Sequence, residues 1–502
     1  MSGLTLVLGI LSTTFITFLF FKWFLQNRGK RYPKGPMGFP IIGHLPFFGS
    51  HPPSTFMKWR ESYGDVFSIR LGSWQAVVVN GYKTVKAVAE HPNDAFSGRP
   101  NFVSMEVAAE LINEETFAFG NFTPVYLKQR KLTSKALRLF TFKRSDVIEE
   151  LVTNEANAFA DALIRKYSTT PGYIELDVQI LVTRIIYQFL YGRGKHVDLD
   201  RHVKTIINLL DEINEFSGSG SAIDVLPWLR YIMPGKIEAF RKLATKSVGL
   251  MREQIQEHYE SFSADDIRDV TDAIIASDAE DEENKDKHML TRARLNLTLA
   301  DLQGAGVDTT NKTLSWLLLY MTKFPHIQER VFAEIDTVVG KFRNVQLKDK
   351  PDLVYTNAVI LEVARTVTQL PFSLPHFSMK DAKIEGLDVD KDTVVIFNLY
   401  SVHHEKEFWG DPECFRPERF ILDDNTLDSD KSNHIVAFGL GRRRCVGEFL
   451  AKMNVFLAFS NIMQKCKFVR PSGERLDLTP IPGLVYTSKN FKVLVQERSS
   501  SL

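Results

Sequence analysis

Cysteine is scarce in this chain: Cys414, Cys445 and Cys466 are the only three in 502 residues. So sparse and odd a count cannot build a disulfide framework, and it suits a reducing compartment. Charge of one sign is also missing, since 62 Lys and Arg face 61 Asp and Glu for a net of +1. No global charge advertises a nucleic acid partner, and electrostatic docking has to come from local patches. Trp is limited to 6 residues against 37 Phe, which gives an interior of aromatic rings without polar handles. There is no Walker A loop and no G-x-G-x-x-G after a strand, so the chain carries no nucleotide or flavin site of its own. Length alone argues for several domains. Yet no internal repeat and no second low-complexity linker follows residue 50, which favours one large body.

What is present begins with an apolar run. Leu4 to Phe21 holds 18 residues without a charge, and with Lys22 snorkelling the stretch extends to Leu25. At about 1.5 Å per residue that is roughly 27 to 33 Å of helix, enough to cross a hydrocarbon core. A cleaved signal peptide would need a basic n-region and a small-residue cleavage site, and neither is there. The run therefore reads as a membrane anchor over residues 1–27, with Lys22, Arg28, Lys30, Arg31 and Lys34 keeping the body on the cytoplasmic side. Residues 28–50 carry Pro33, Gly35, Pro36, Gly38, Pro40, Gly43 and Pro46, too dense for helix or central strand, and read as a stiff connector.

Within 51–502, Val66 to Leu71 and Ala76 to Asn80 read as a hairpin divided by Gly72 and Ser73. Most of the rest has helical periodicity. Asp278, Glu280, Asp281, Glu282 and Glu283 read as a solvated loop before a long helix, and Ser217 to Ser221 as a flexible point. The apolar cluster Val225 to Met233 fits either a core-facing loop or a segment dipping into a membrane.

The strongest chemical signal is Phe438-Gly439-Leu440-Gly441-Arg442-Arg443-Arg444-Cys445-Val446-Gly447. A single cysteine held between glycines and beside cations is equipped to stay ionised and to ligate a metal through sulfur. Ala305, Gly306, Val307, Asp308, Thr309 and Thr310 lie inside an apolar helical stretch from about Thr291 to Pro325. Glycines in mid-helix cost about 1 kcal/mol each relative to alanine, and an Asp-Thr pair there has no packing rationale, so the conflict marks function. Glu362 and Arg365 share a helix face, and Phe415-Arg416-Pro417-Glu418-Arg419-Phe420 follows some fifty residues later.

On these motifs, from the proline-rich connector to the carboxyl terminus, the chain resembles the cytochrome P450 monooxygenases. The resemblance implies a mainly α fold with small β-sheets, preceded by one transmembrane helix, and a haem b whose iron takes Cys445 as axial thiolate. It implies that Asp308 and Thr309 relay protons to iron-bound dioxygen. Partners of the haem and its propionates are then Arg99 (in Phe96-Ser97-Gly98-Arg99-Pro100), Tyr126, Arg130, His376, Phe438 and Arg443. One departure stands out: the usual W-x-x-x-R appears as Tyr126 to Arg130, a phenol where an indole is expected. Glu362, Arg365 and Arg419 take a structural role, a buried charged triad around the haem. Substrate-pocket candidates are Ala300, Asp301, Ala305, Phe372, Leu374, Leu484 and Val485. Of these, Asp301 either accepts a hydrogen bond from a substrate hydroxyl or is paired with a neighbour.

The implied reaction inserts one oxygen atom of dioxygen into a lipophilic substrate, with electrons from NADPH through a separate membrane-bound reductase, and cytochrome b5 as a second possible donor. Lys128, Lys131, Lys135, Arg138, Arg442 and Arg444 form the expected docking face for an acidic reductase. A-G-x-D-T-T, Pro371 to His376 and F-S-G-R-P look like the animal microsomal group, which holds steroid 17-alpha-hydroxylases and aryl hydrocarbon hydroxylases and sits on the endoplasmic reticulum. A haem-thiolate isomerase of lipid peroxides would not require the acid-alcohol pair. A non-catalytic haem or lipid-binding protein would need neither that pair nor a basic docking face.

Overall fold

A computed structural model describes residues 30–112, 114–192, 198–217, 222–283 and 290–498, with Thr14 and Thr17. The expected anchor at 1–27 lies, apart from those two threonines, outside the described residues, as do residues 218–221. Among the described residues no helix is long and apolar enough to cross a membrane.

The body is mainly helical. Helix α1 (Pro52–Tyr63) leads into strands β1 (Val66–Leu71) and β2 (Trp74–Val79). These pair antiparallel from Val66↔Val79 to Leu71↔Trp74, with Gly72 at φ +57° in the turn, so the expected hairpin is present and its second strand starts two residues early. β2 runs parallel to Val394–Phe397, which also pairs with His376–Phe377, giving a four-stranded sheet. Val66, Val77, Val79, Val395 and Phe397 are buried together on one face; Phe67, Ile69, Val78 and Ile396 are buried together on the other.

The helical side is built from α2 (Pro124–Arg138), α3 (Ser145–Tyr167), α4 (Glu175–Tyr191), α5 (Pro234–Ser261), α6 (Val270–Glu283), α7 (Arg292–Lys323), α8 (Val354–Val367) and α9 (Glu448–Lys465). Helix α7 is its shaft. The Thr291 hydroxyl accepts from the Arg294 N–H and caps it, and Pro325 stops the next turn of chain from continuing it. Residues Leu314 to Thr322 are buried all round, so this end of α7 is sheathed by other elements, while the segment around Ala305 is not. α7 packs on α4 and α9, and α9 packs on α3, uniting these helices in one apolar core.

Two local expectations are corrected. The acidic stretch from Asp278 belongs to helix α6 rather than a loop, because buried Val270, Ala273 and Ile274 fix that helix and glutamates extend it at little cost. Lys128 is buried, so it is not part of an outer docking face. It lies on the same stripe of α2 as Leu132 and Ala136, four and eight residues on, and both of these are buried.

Candidate functional site

The cysteine loop is shaped by its backbone. The Cys445 N–H donates to the Phe438 carbonyl at 2.9 Å, closing the segment into a turn. Gly439 and Gly441 have φ of +73° and +67°, and a Cβ at Gly441 would sit 1.9 Å from the Ala89 carbonyl oxygen. That glycine is therefore required by packing against the chain at Ala89. The Cys445 side chain is exposed at its surface although protein surrounds it. Burial nevertheless pushes its thiol above the ordinary value, opposed by a hydrogen bond from the Gly447 amide and by the distant charges of Arg130 and Arg444. Arg444 does little for it because its guanidinium is turned to Glu448 in a bidentate pair. The neighbouring cations favour the ionised sulfur only in part, and a metal cation bound at the sulfur would supply the remaining stabilisation of a thiolate.

Cys466 is no rival. It lies buried in the strand Cys466–Val469, its sulfur faces the Ala160 carbonyl, and burial pushes its thiol up to about 12.

A second group of residues gathers positive charge in the interior. Arg99 donates through Nε to Ala118 O at 3.1 Å and through Nη1 to Pro375 O at 3.1 Å. Arg443 donates to Ser97 O at 2.8 Å and Gly120 O at 2.7 Å. Arg130 reaches Arg444 O and, at 3.5 Å, the Tyr126 hydroxyl. None of the three has a carboxylate in ion-pair contact among the described residues. Burial, with Arg443 and Arg130 nearby, lowers Arg99 to about 9. His376 is held well below its usual range by burial and by Arg99. Its Nδ1 lies 2.7 Å from Phe96 O and so carries the proton, which leaves Nε2 as an acceptor. A partly buried cation cluster with no ion-paired carboxylate among the described residues, beside an accessible thiol, fits an anionic iron macrocycle: two carboxylates would neutralise the arginines, and iron would take the sulfur.

Tyr126 works here mainly by packing. Its ring lies under the Arg443 guanidinium, 3.9 Å from the centroid, and stacks on Phe117 at 5.6 Å.

On α7, Thr309 donates its hydroxyl to Ala305 O at 2.7 Å. Asp308 is ion-paired with Lys312 at 2.8 Å, one turn further on. Gln369, which the sequence did not single out, donates to Thr309 O at 2.8 Å and accepts from the Thr313 hydroxyl at 2.8 Å. Its own carbonyl accepts from Tyr486 N at 2.7 Å, bringing Leu484 and Val485 to the same end of the site. Ala305 and Leu484 are exposed, whereas Val485 is buried, Ala300 packs on the main core, and Phe372 packs on Phe56 at 5.1 Å. Leu374 is half-buried, one residue before Pro375, whose carbonyl holds Arg99. For Asp301 the structure shows a pairing: its Oδ2 accepts from Ala118 N at 2.9 Å, with a further bond from Phe117 N, and burial pushes its carboxyl up to about 6.

Beneath the cysteine loop lies a charged network. Glu362 and Arg365, both with side chains 0% exposed, pair at 2.7 and 2.9 Å. Arg419 Nε reaches Glu362 at 3.1 Å, and its Nη1 pairs with Asp411 at 2.9 Å. Arg365 also donates to His403 O at 2.9 Å. The His403 ring accepts at Nε2 from Val436 N at 3.0 Å, so its proton is on Nδ1, 2.9 Å from the Thr368 hydroxyl. Through His403 the triad therefore supports the start of the loop that carries Cys445. His403 and Asp411 were not visible in sequence, because each meets the triad only through tertiary contact.

A family model described as Cytochrome P450 matches residues 33–495. Cytochrome P450 1A1 of Rattus norvegicus is 35% identical over 490 residues, covering 94% of this chain and 91% of its own. The human protein of that name is 32% identical over 468 residues, covering 91% and 90%. A solved zebrafish cytochrome P450 with progesterone superposes with a TM-score of 0.79 at 27% identity, covering 89% of this chain and 99% of that one. Sequence, fold and the cysteine loop agree, and the chain belongs to the cytochrome P450 family.

Proposed function

We propose that this protein is a membrane-anchored haem-thiolate monooxygenase that inserts one oxygen atom of dioxygen into a lipophilic substrate, steroid-like or polycyclic aromatic. Electrons come from NADPH through a separate reductase, with cytochrome b5 as a second donor. The observation that carries the reading is the Cys445 loop, an accessible thiol in a glycine-shaped turn. When bound, haem supplies the dioxygen activation that no protein side chain provides. Cys445 would hold its iron, and Arg99, Arg130 and Arg443 would hold its carboxylates. His376 would lie beside them, its ring held by the bond of Nδ1 to Phe96 O.

The remaining work falls to α7. The Thr309 hydroxyl can rotate from Ala305 O and pass its proton toward the reacting centre. Asp308, once it releases Lys312, can take up a proton from solvent and pass it to the Thr309 oxygen. Thr309→Ala is therefore expected to retain haem and its spectrum while product per NADPH falls by about tenfold or more and peroxide rises. Unchanged coupling would remove the residue from the relay.

The substrate reading follows from the progesterone in the zebrafish structure and from the microsomal motif set. Spectral titration with a steroid panel against a polycyclic aromatic panel tests it: saturable shifts with one panel identify the class, and none with either refutes it.

Two surfaces support the seating and the electron supply. Trp228, Tyr231 (82% exposed) and Ile232 (67% exposed) project from the short 3-10 helix Pro227–Tyr231 and its exit, and the helical turn before it hydrogen-bonds the β1–β2 turn, where Ser73 N donates to Val225 O. Met37, Phe39 and Ile41 of the connector are exposed as well, and these side chains suit the surface of the endoplasmic reticulum membrane. Lys131, Lys135, Arg138, Arg442 and Arg444 are exposed on the face behind the cysteine loop. Raising salt from about 0.05 to 0.5 M shortens the screening length severalfold, so reductase-driven turnover is expected to fall severalfold while peroxide-driven turnover does not. Salt-insensitive coupling would contradict an electrostatic dock.

A further inference from the structure

Asp301 carries a carboxylate with no cationic partner among the described residues. A charge placed so is costly unless hydrogen bonds compensate it. Its compensation comes from one place, the backbone N–H groups of Phe117 and Ala118. The same short segment then turns its carbonyls the other way. Ala118 O receives Arg99 Nε at 3.1 Å, and Gly120 O receives Arg443 Nη2 at 2.7 Å. Phe117 stacks on Tyr126, which lies under Arg443. A second tether, Glu114, binds Arg294 and the Thr291 hydroxyl at the first turn of α7. Residues 114–122 thus form a strap with one edge fixed to α7 and the other fixed to the interior arginines.

We propose that Asp301 is a positioning residue: by anchoring the 114–122 strap to α7, it sets the poses of Arg99 and Arg443 that receive the anionic edge of the cofactor. The inference rests on the haem reading above and adds a residue that touches neither haem nor reacting atoms. It also assigns Asp301 a role other than recognising a substrate hydroxyl.

The test uses wild-type holoprotein, Asp301→Ala and Asp301→Asn, read by amide hydrogen exchange and by haem transfer to excess apomyoglobin. Asp301→Ala removes the acceptor and is expected to raise exchange in peptides covering 114–122 by tenfold or more, with little change in α7 peptides. Haem transfer is expected to speed up by about tenfold. Asp301→Asn keeps an acceptor oxygen and is expected to remain within about threefold of wild type on both readouts, with a measurable rise in exchange at 117–118. If Asp301→Ala yields no holoprotein, the asparagine variant alone decides, and exchange identical to wild type at 117–118 overturns the proposal. Wild-type exchange and haem retention in Asp301→Ala overturn it too, as does a variant altered only in substrate affinity. A wild-type protein that shows no haem-thiolate spectrum fails the haem reading instead, so the two failures are distinguishable.

Discussion

Cys445→Ser is expected to abolish thiolate ligation, so that the ferrous carbon monoxide complex loses the red-shifted band of a haem-thiolate and reductase-driven turnover drops to background. A serine hydroxyl stays protonated where a metal-bound thiol does not, so iron loses its anionic sulfur ligand. The loop itself should survive the change. Its closing bond, from Cys445 N to Phe438 O at 2.9 Å, is backbone to backbone, and Gly441 stays seated against Ala89. Loss of the band with retained fold therefore reads on ligation. Cys466→Ala and Cys414→Ser should leave the spectrum unchanged, since the first sulfur faces Ala160 O and the second cysteine lies on the surface. A carbon monoxide spectrum unaltered by Cys445→Ser would contradict the assignment.

Glu362→Gln is expected to destabilise the protein by about 3–5 kcal/mol, because it leaves the fully buried Arg365 without a carboxylate and Arg419 with Asp411 alone. That is a large part of the 5–15 kcal/mol that typically separates folded from unfolded protein. The consequence should reach the cofactor, since the route Arg365 to His403 O, and His403 Nε2 to Val436 N, runs straight to the cysteine loop. Urea midpoints and the yield of haem-bound protein measure both effects. Lys246→Ala is the control: Lys246 and Glu212 pair at 3.2 Å with side chains 52% and 51% exposed, and the change should stay within about 1 kcal/mol. Equal midpoints for the two variants would refute the structural role of the triad.

The residues proposed to bear the chemistry stand out in the sequence because their local requirements conflict with ordinary structure. Glycines and an Asp-Thr pair in mid-helix, or a cysteine among glycines and arginines, have no packing reason to be there. The hairpin at Gly72 was legible for a related reason, since a positive φ selects particular residues. What the sequence withheld depends on contacts between distant segments. The partner of Asp301 is a backbone amide 183 residues away, and Gln369 meets Thr309 across 60. Lys128 misled because its charge outweighed its position on the Leu132 and Ala136 stripe. The phenol at Tyr126 reads differently in three dimensions: its 3.5 Å contact to Arg130 is long, and the ring's stacking between Phe117 and Arg443 carries the role.

The central claim, a monooxygenase fed by a separate reductase, is tested most directly with labelled dioxygen. Haem-loaded protein in lipid vesicles with a microsomal reductase and NADPH would be incubated under 18O2 with progesterone or a planar polycyclic arene, and the products weighed by mass spectrometry. The account predicts one labelled oxygen per product molecule, strict dependence on NADPH and reductase, and no label from 18O-water. Product that forms without reductase, or whose added oxygen comes from water, would contradict it.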